Sequence, residues 1–370
     1  MRTTVAIVGG GLSGVYAASL LHREGVTCRL LEARARLGGR ILSVDGAAPG
    51  ARHDLGPAWF WPDMQPQLRQ LTHALGLQAY EQHAAGAILV ERFKLEAPQR
   101  YERGLNSEPR SMRLEGGMQA LVDKLAATLP QHVIQCDAPV TAIREGRDGL
   151  FHLDAGTGAN RPIVAEQVIL ALPPRLMARI AFDPGLPESV TRWCRATPTW
   201  MAGQAKCLAV YEQPFWKARG FSGTASSFLG PMMEMHDAST PEGSHALFGF
   251  MGLSAQARQA LGQEALKQAA LAQWARLFGA EALHPLAVHA FDWAQEAQTA
   301  TAADWEPPSG HPAYGLPAGL NRYGDGRLLL AGTEVATAQG GYLEGALEAA
   351  QEAVNQVLRR ARPTASQALA

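Results

Sequence analysis

The chain has 370 residues, of which 47% are hydrophobic and 18% are charged, so it can form one large or two medium domains around a sizeable core. Its formal net charge is −1, which gives no reason to expect binding to nucleic acid or to an anionic membrane surface. No stretch approaches the ~18 consecutive apolar residues of a membrane helix, and the early first strand leaves no room for a signal peptide. We therefore expect a cytoplasmic protein without a membrane span.

The four cysteines are scattered along the chain and show no C-x-x-C spacing: Cys28, Cys136, Cys194 and Cys207. This pattern argues against a zinc site and against a redox-active pair, so we expect no bound metal. Their small number is compatible with a reducing compartment.

The first predicted elements are a buried strand, a glycine turn and a helix start within residues 5–15. Gly9, Gly11 and Gly14 fit the G-x-G-x-x-G pattern, which combines a tight turn, close approach of the backbone to a pyrophosphate, and close packing of helix on strand. A second strand over residues 27–31 ends at Glu32, where an acid that binds a ribose hydroxyl is expected. The pattern predicts a dinucleotide site; an ordinary βαβ turn is the alternative.

The remaining elements follow from the periodicity of apolar residues. Strands are predicted at 133–136, 140–144, 149–153, 162–172, 200–211, 246–251 and 327–331. Helices are predicted at 67–75, 119–129, 254–277 and 344–360. Elements typical of a nucleotide-binding domain thus occur at both ends and in the middle of the chain. This arrangement predicts a discontinuous dinucleotide-binding domain with a second domain inserted in pieces.

Further motifs occur in order along the chain, and together with the glycine turn they resemble the flavin-dependent amine oxidase family. This family contains the monoamine, polyamine and L-amino acid oxidases, and the chain is similar to a short, bacterial-type member. The motifs are E-x-R-x-R-x-G-G-R at 32–40, D-x-G at 54–56, and the segments 138–141, 204–216, 331–337 and 340–346. The run at 32–40 is the most specific of them, because dinucleotide-binding domains that use NAD lack it.

The resemblance implies an α/β fold with a Rossmann-like, p-hydroxybenzoate-hydroxylase-like FAD-binding domain and an inserted α+β substrate domain. The FAD-binding domain is predicted at 1–75, 112–195 and 305–362, and the substrate domain at 76–111 and 196–304. The segment between Trp61 and Arg113 is much shorter than in the monoamine oxidases, which implies a reduced lid. The cavity is then more open or is closed by a partner subunit, so a dimer is one option for the oligomeric state.

The resemblance also implies which residues hold FAD. The predicted cofactor residues are Gly9, Gly11, Ser13, Gly14, Glu32, Ala33, Arg34, Gly39, Arg40, Gly56, Val140, Gly332, Thr333, Glu334, Gly341 and Leu343. For Arg40, which follows two glycines, a bidentate contact with phosphate is favoured. For Arg34, a salt bridge within the protein is an equal alternative, and Arg36 is expected at the surface. The helix that begins near Tyr342 can direct its positive end at the N1 side of a reduced flavin.

Two residues are predicted to take part in catalysis. Lys206 lies in an apolar strand, where an unpaired lysine is costly; the resemblance implies that it holds a water beside flavin N5 and assists the reaction with oxygen. The alternative is a lysine at the strand edge that faces water. Tyr342 resembles one wall of the aromatic cage that flanks the amine, and aromatic faces suit such nitrogens.

The second wall of the cage and the covalent flavin linkage of some members are expected to be missing. Counting back from the turn at 317–319 places His311 and Pro312 where those members carry a cysteine and a tyrosine, so FAD is predicted to bind non-covalently. His311, Trp59 and Trp305 are candidates for the substrate pocket. His311 could instead face solvent, and Trp305 could instead anchor a loop.

The reaction implied is removal of hydride from a carbon next to nitrogen, followed by hydrolysis of the imine and reoxidation of the flavin by oxygen. The cofactor carries the difficult chemistry, so no metal or carboxylate pair is needed. The expected partners are a small amine and oxygen. Two alternatives stay open: a desaturase or dehydrogenase of a carotenoid or porphyrinogen, and a low-turnover flavoprotein that acts as a binding subunit.

Overall fold

The computed structural model describes residues 1–102, 109–156, 162–306 and 308–361. Residue 362, the predicted end of the third FAD-binding segment, lies outside this range. The chain divides into two compact units: unit 1 contains Met1–Gly39, Val122–Trp200 and the chain from Pro308 onwards, and unit 2 contains Arg40–Leu121 and Met201–Pro307. Within the described ranges, no helix is long and apolar enough to cross a membrane.

The strands of the described residues are β1 (Arg2–Val8), β2 (Cys28–Leu31), β3 (Ser43–Asp45), β4 (Arg52–Asp54), β5 (Ala79–Glu81), β6 (Ala87–Glu91), β7 (Gln99–Tyr101), β8 (Met112–Leu114), β9 (Ile134–Gln135), β10 (Val140–Glu145), β11 (Phe151–Ala155), β12 (Ile163–Leu170), β13 (Ala181–Asp183), β14 (Ala205–Tyr211), β15 (Phe221–Ser227), β16 (Met232–Asp237), β17 (His245–Met251), β18 (Ala287–Asp292) and β19 (Leu328–Leu330). The α-helices of the same residues are α1 (Leu12–Arg23), α2 (Pro66–Ala74), α3 (Gln119–Ala127), α4 (Pro174–Met177), α5 (Glu188–Ala196), α6 (Phe215–Ala218), α7 (Ala255–Leu261), α8 (Gln263–Phe278) and α9 (Leu343–Ala361).

Unit 1 is built on a sheet in which β1 lies between two parallel neighbours, β12 and β2. Val5, Ala6 and Ile7 are fully buried, as expected of a parallel strand that is covered on both faces. The full strand order is β13-β10-β11-β12-β1-β2-β9, with β19 pairing with β12. The βαβ start predicted from the glycine turn is therefore confirmed, and the last strand and helix of the chain belong to the same unit.

Unit 2 is built on a sheet with the strand order β18-β14-β17-β16-β15-β6-β7. One face of this sheet packs on α8, where Cys207 and Ala209 join a cluster that includes Trp274. The opposite face carries Leu208 and Phe248. Two faces buried in different cores give β14 a continuous run of buried residues. The predicted strand 200–211 begins five residues too early, because residues 200–203 form a turn.

Two features of unit 2 differ from the predicted elements. The helical stretch 254–277 consists of two helices, because Gly262 adopts a φ of 80° between α7 and α8, which a non-glycine residue rarely adopts. The strands β3 to β8, β15, β16 and β18 have no counterpart among the predictions, which took residues 46–111 as irregular. Both β15 and β16 contain register shifts, and such irregularities weaken a period-two pattern.

Residues 196–200 belong to unit 1, whereas the motif analysis grouped them with the substrate domain. Residues 40–75 and 112–121 belong to unit 2, whereas it grouped them with the FAD-binding segments. The physical reason is a set of buried contacts made by β4. His53 Nδ1 lies 2.9 Å from the Ala238 carbonyl oxygen and its Nε2 lies 2.8 Å from Ser244 Oγ. These contacts hold β3 and β4 against the turn that joins β16 to β17. Which segments bind FAD stays a prediction.

Candidate functional site

Of the three motif glycines in the turn after β1, the surrounding protein leaves no room for a side chain at two and leaves room at the third. Gly9 has a φ of 107°, and a Cβ there would lie 2.4 Å from the Ala171 carbonyl oxygen. A Cβ on Gly14 would lie 1.9 Å from the Gly9 carbonyl oxygen. Gly11 has a φ of −71°, and its Cβ would meet nothing closer than Gly39 Cα at 3.8 Å. The absence of a side chain at Gly11 is therefore best explained by a ligand that approaches the backbone.

Glu32 is held at the end of β2 by two backbone donors. Its side chain is buried, with the residue 3% exposed. Oε2 accepts a hydrogen bond from the Gly10 N–H at 2.6 Å, and Oε1 accepts one from the Arg34 N–H at 2.9 Å. Oε1 also accepts from Arg34 Nη1, whereas Oε2 has a further lone-pair direction. The orientation of the carboxylate is therefore fixed while Oε2 can still accept a hydroxyl hydrogen bond.

The segment that leads into β10 lies beside Glu32. The Ala138 N–H donates to the Glu32 carbonyl oxygen at 2.9 Å, and the Asp137 N–H donates to the Arg34 carbonyl oxygen at 3.0 Å. These bonds place Val140, at the start of β10, in the same neighbourhood as the residues predicted to hold the adenosine. Ala33, which lies between Glu32 and Arg34 in the sequence, is half-buried.

The arginines of the 32–40 run do not behave alike. Arg34 Nη1 lies 3.5 Å from Glu32 Oε1, which favours the salt bridge that was one of its two predicted roles. Arg36 was expected at the surface, but it is half-buried, and its Nη2 donates to the Gly39 carbonyl oxygen at 3.1 Å. Arg36 thus stabilises the glycine loop through this hydrogen bond.

Two predicted cofactor residues lie together in unit 2. A Cβ on Gly56 would lie 2.1 Å from the Arg40 carbonyl oxygen.

The C-terminal motif lies next to the glycine turn in unit 1. Ser13 Oγ donates a hydrogen bond to the carbonyl oxygen of Ala331, which directly follows β19. Thr333 Oγ1 donates to the Tyr342 carbonyl oxygen at 2.8 Å. Gly332 is buried, Glu334 is fully buried, and Leu343 is the first residue of α9. The structure therefore brings the two ends of the predicted cofactor site into one unit.

Four aromatic rings gather at the N-terminal end of α9. His311 stacks on Tyr342 with ring centroids 5.3 Å apart and an interplanar angle of 5°. Trp200 lies 4.6 Å from His311, and Tyr314 lies 5.5 Å from it. Gly341 has a φ of 85°, and a Cβ there would lie 2.9 Å from the Trp200 ring. The His311 and Tyr342 rings therefore pack on each other and leave no gap for an amine between them, and the expected absence of a second cage wall stays a prediction.

Trp200 and Tyr314 were not predicted as site residues. Trp200 lies just before the loop that leads into β14, and Tyr314 lies three residues before the turn at 317–319. Neither position belongs to a quoted motif, and the contacts that unite them join segments more than a hundred residues apart in the sequence. Sequence spacing therefore contained no signal for them.

Lys206 is buried on the face of β14 opposite α8. The residue is 5% exposed, and its Nζ donates to the Gly56 carbonyl oxygen at 2.5 Å. Nζ also lies 4.7 Å from the ring centroid of Phe248 and 4.9 Å from that of Phe250, within cation–π range. The alternative of a lysine at a strand edge that faces water is wrong.

Burial controls the charge of this lysine. It lowers the pKa of Lys206 to about 7, and the nearby carboxylate of Asp54 partly opposes the shift. Asp54 is itself buried, which raises its pKa, although its Oδ1 accepts hydrogen bonds from Ser43 Oγ at 2.6 Å and from the Met118 N–H at 2.9 Å. A lysine with a pKa near 7 can gain or lose a proton at neutral pH.

The two tryptophans proposed for the pocket have different surroundings. Trp59 is half-buried, its Nε1 donates to Gln82 Oε1 at 2.7 Å, and its ring lies 5.4 Å from Phe248 on the face that carries Lys206. Trp305 Nε1 donates to the Ala294 carbonyl oxygen at 3.0 Å, which favours its alternative role as a loop anchor.

Among the described residues, no group of three or more His, Cys, Asp or Glu side chains could hold a metal ion.

Two family models match the chain. One, described as flavin containing amine oxidoreductase, matches residues 95–358. The other, described as an NAD(P)-binding Rossmann-like domain, matches residues 7–75. The second match covers the end of β1, all of α1 and β2, and the glycine motifs described above. The first covers Lys206, the aromatic rings and the start of α9.

Similar proteins include two curated oxidases. Putrescine oxidase of Kocuria rosea is 26% identical, over 86% of this chain and 86% of that protein. Flavin-containing amine oxidase B of Sus scrofa is 26% identical, over 96% of this chain and 86% of that protein. A solved triple mutant from a structure-based redesign of cofactor binding in putrescine oxidase superposes with a TM-score of 0.79, at 23% identity, over 97% of this chain and 99% of that chain. This structural likeness confirms the predicted α/β, Rossmann-like fold.

Proposed function

Because the chain belongs to the flavin containing amine oxidoreductase family, we propose that it oxidises the C–N bond of a small amine by hydride transfer to N5 of FAD, with oxygen as the final acceptor. Family membership confirms that the chain is an oxidoreductase, that it uses FAD and that its reaction is amine oxidation. The imine, its carbonyl product and hydrogen peroxide are parts of the proposal.

The residues of unit 1 fit an extended dinucleotide cofactor. The uncrowded backbone at Gly11 suits a pyrophosphate, and the N-terminal end of α1 suits its negative charge. The fixed carboxylate of Glu32 suits a ribose hydroxyl. The remaining residues proposed to hold FAD are Gly9, Ser13, Gly14, Ala33, Arg34, Gly39, Arg40, Gly56, Val140, Gly332, Thr333, Glu334, Gly341 and Leu343. When bound, FAD would supply the acceptor for the hydride of the amine and the carrier that passes its electrons on to oxygen.

The chain's own residues have three tasks in this proposal. The stacked pair of Tyr342 and His311 offers one aromatic wall to the amine nitrogen. The N-terminal end of α9 stabilises negative charge at the N1 side of the flavin. Lys206 assists the reaction with oxygen: it places an amine, which is charged below about pH 7 and neutral above it, among apolar side chains. The observation that carries the proposal is this lysine, which is 5% exposed beside two aromatic rings. Burial of an amine at such a place is costly, and a functional role explains why the lysine is there.

An anaerobic reduction screen tests the function. We expect at least one amine, from a panel of primary amines, secondary amines, diamines and amino acids, to bleach the yellow colour of the purified protein. The control panel contains the corresponding alcohols. Lack of bleaching by every amine contradicts the proposal. In that case, bleaching by a porphyrinogen or carotenoid supports the desaturase alternative, and no bleaching at all supports the low-turnover binding subunit.

We also propose that FAD is held without a covalent bond. The C-terminal motif region contains no cysteine, since the last of the four is Cys207. Precipitation of the protein with acid should therefore release the yellow colour into the supernatant. Colour retained in the washed pellet would contradict this proposal, and a peptide of the pellet that carries flavin at His311 would identify a histidine linkage instead. The cytoplasmic location stays a prediction, and a dimer stays one option for the oligomeric state.

A further inference from the structure

Arg113, in the middle of β8, is a buried cation of unit 2 that the proposed function does not use. The residue is 2% exposed. Its Nη1 donates to Gln82 Oε1 at 3.3 Å and to the Asp237 carbonyl oxygen at 3.2 Å, and its Nε has no partner within the described part of the chain. Both acceptors are neutral groups, so they hold the guanidinium in place without cancelling its positive charge.

One phenylalanine ring links Arg113 to the lysine of the proposed site. Arg113 Cζ lies 5.6 Å from the ring centroid of Phe248, and Lys206 Nζ lies 4.7 Å from the same centroid. The two basic groups are therefore at most about 10 Å apart, a separation at which charges inside a protein still repel each other. Because both side chains are buried, salt and water screen this repulsion less than they would at the surface.

The carboxylate of Asp54 lies in the field of both basic groups. Asp54 is 2% exposed, and it lies two residues before Gly56, whose carbonyl oxygen accepts the hydrogen bond from Lys206 Nζ. Burial raises the pKa of Asp54, and Arg113 opposes this shift more than Lys206 does. The negative charge of Asp54 therefore balances Arg113 in the first place.

Two other buried groups near Arg113 carry no charge at neutral pH. Burial lowers the pKa of His53 to about 4, and it raises the pKa of Tyr80, the partner of Arg113 across β5 and β8, to about 12. Both side chains are thus neutral at pH 7, and neither can balance a second cation.

Two further carboxylates of unit 2 are already occupied or screened. Asp237 Oδ2 lies 3.1 Å from Lys217 Nζ, so this carboxylate has a cation of its own. The Glu234 side chain is 54% exposed and lies 2.6 Å from His236 Nε2, so solvent weakens its effect on a buried neighbour. One buried carboxylate, that of Asp54, thus remains for two buried basic side chains.

An arginine does not lose its proton inside a protein, whereas a lysine can, and a like charge nearby favours that loss. We propose that Arg113 is a positioning residue that keeps Lys206 uncharged above neutral pH and so sets the pH range in which this lysine assists the reaction with oxygen. The inference rests on the proposed function, because it takes Lys206 as the residue that assists oxygen. Burial lowers the pKa of Lys206 to about 7, Asp54 opposes the shift, and Arg113 adds to it.

The test measures the rate constant for reoxidation by oxygen against pH in the Arg113→Gln and wild-type holoenzymes. Stoichiometric dithionite reduces the flavin, so no amine is needed. Loss of a charge about 10 Å away, at an effective dielectric constant of about 20, should move the downward step in the rate constant about one pH unit higher. At pH 7.5 the variant should then react about threefold faster than wild type, which no loss of structure would produce.

Unfolding of the FAD-free protein gives a readout that does not depend on the flavin. Wild-type stability should rise with pH from about 7, where folded Lys206 loses its proton, to about 10.4, where the unfolded lysine does. In Arg113→Gln this rise should begin about one pH unit higher, because the pKa of folded Lys206 is closer to its ordinary value. Lys206→Met should abolish the rise in both backgrounds.

Three variants complete the test. Arg110→Gln makes the same change at an arginine whose side chain is 57% exposed, and it should leave the step at the wild-type pH. Arg113→Lys keeps a basic group and should place the step between those of wild type and Arg113→Gln. Asp54→Asn removes the opposing charge and should move the step to lower pH, a result that tests the inference even if Arg113→Gln does not fold.

The outcomes separate this inference from the proposed function. A step that stays at the wild-type pH in Arg113→Gln, or that moves to higher pH in Asp54→Asn, overturns the inference alone. A wild-type rate constant without a step, or one that Lys206→Met leaves unchanged, overturns the assigned role of Lys206 as well.

Discussion

Gly11→Ala should yield a folded protein that has lost most of its affinity for FAD. The φ of −71° suits alanine, and the added methyl group would meet no protein atom closer than 3.8 Å. If a pyrophosphate approaches this backbone, the same methyl group must displace it. An overpacked contact costs about 1–3 kcal/mol, which corresponds to a Kd for FAD raised roughly 5- to 150-fold. The measurement is FAD binding to the stripped protein, followed by quenching of flavin fluorescence.

Gly14→Ala provides the contrasting variant. Its methyl group would lie 1.9 Å from the Gly9 carbonyl oxygen, so helix α1 must move away from the turn. We expect this variant to lower the free energy of unfolding of the FAD-free protein by about 1–3 kcal/mol or more, whereas Gly11→Ala leaves it unchanged. Unaltered FAD affinity in Gly11→Ala would contradict the assignment of this turn to the cofactor. Equal destabilisation by both variants would show that the two glycines serve packing alone.

The elements that could be predicted from the sequence are those formed by interactions between residues close together in the chain. The turn between β1 and α1 needs glycines at fixed offsets, because Gly9 has a positive φ and Gly14 touches the Gly9 carbonyl group. The burial of β1 on both faces gives an uninterrupted apolar run. Such causes act within about ten residues, so a single sequence contains them.

The features that the sequence missed depend on pairing between distant segments. His53 meets Ala238 and Ser244 only because β4 packs on the turn that joins β16 to β17. The stack of His311 on Tyr342 similarly joins a loop to the start of α9. The motif comparison identified the position of His311, but the contact of its ring with Tyr342 depends on the fold of the loop and not on residue type. The site residues themselves remain predictions until the variants are measured.

The properties of Lys206 lead to an expected effect on the reaction with oxygen. Oxygen acquires negative charge as it is reduced, and a cation in an apolar surrounding stabilises that charge more than it would in water. Lys206→Met removes the amine while keeping an apolar side chain of similar length. We expect the rate constant for reoxidation of the reduced flavin to fall about 100-fold, the scale for loss of one preorganised donor. Reduction by an amine should change much less.

The pH dependence separates this role from a purely structural one. Because the pKa of Lys206 is about 7, the lysine is charged below that pH, and the wild-type reoxidation rate constant should decrease as the pH rises through 7. Lys206→Met should show no such step, and Lys124→Met, which changes an exposed lysine of α3, should keep it. Folding lowers this pKa, so the unfolded chain binds more protons between about pH 7 and the ordinary lysine pKa of about 10.4, and wild-type stability should rise with pH across that window. A stability slope that Lys206→Met removes, together with an unchanged oxidative half-reaction, would show that the lysine is buried but does not assist oxygen.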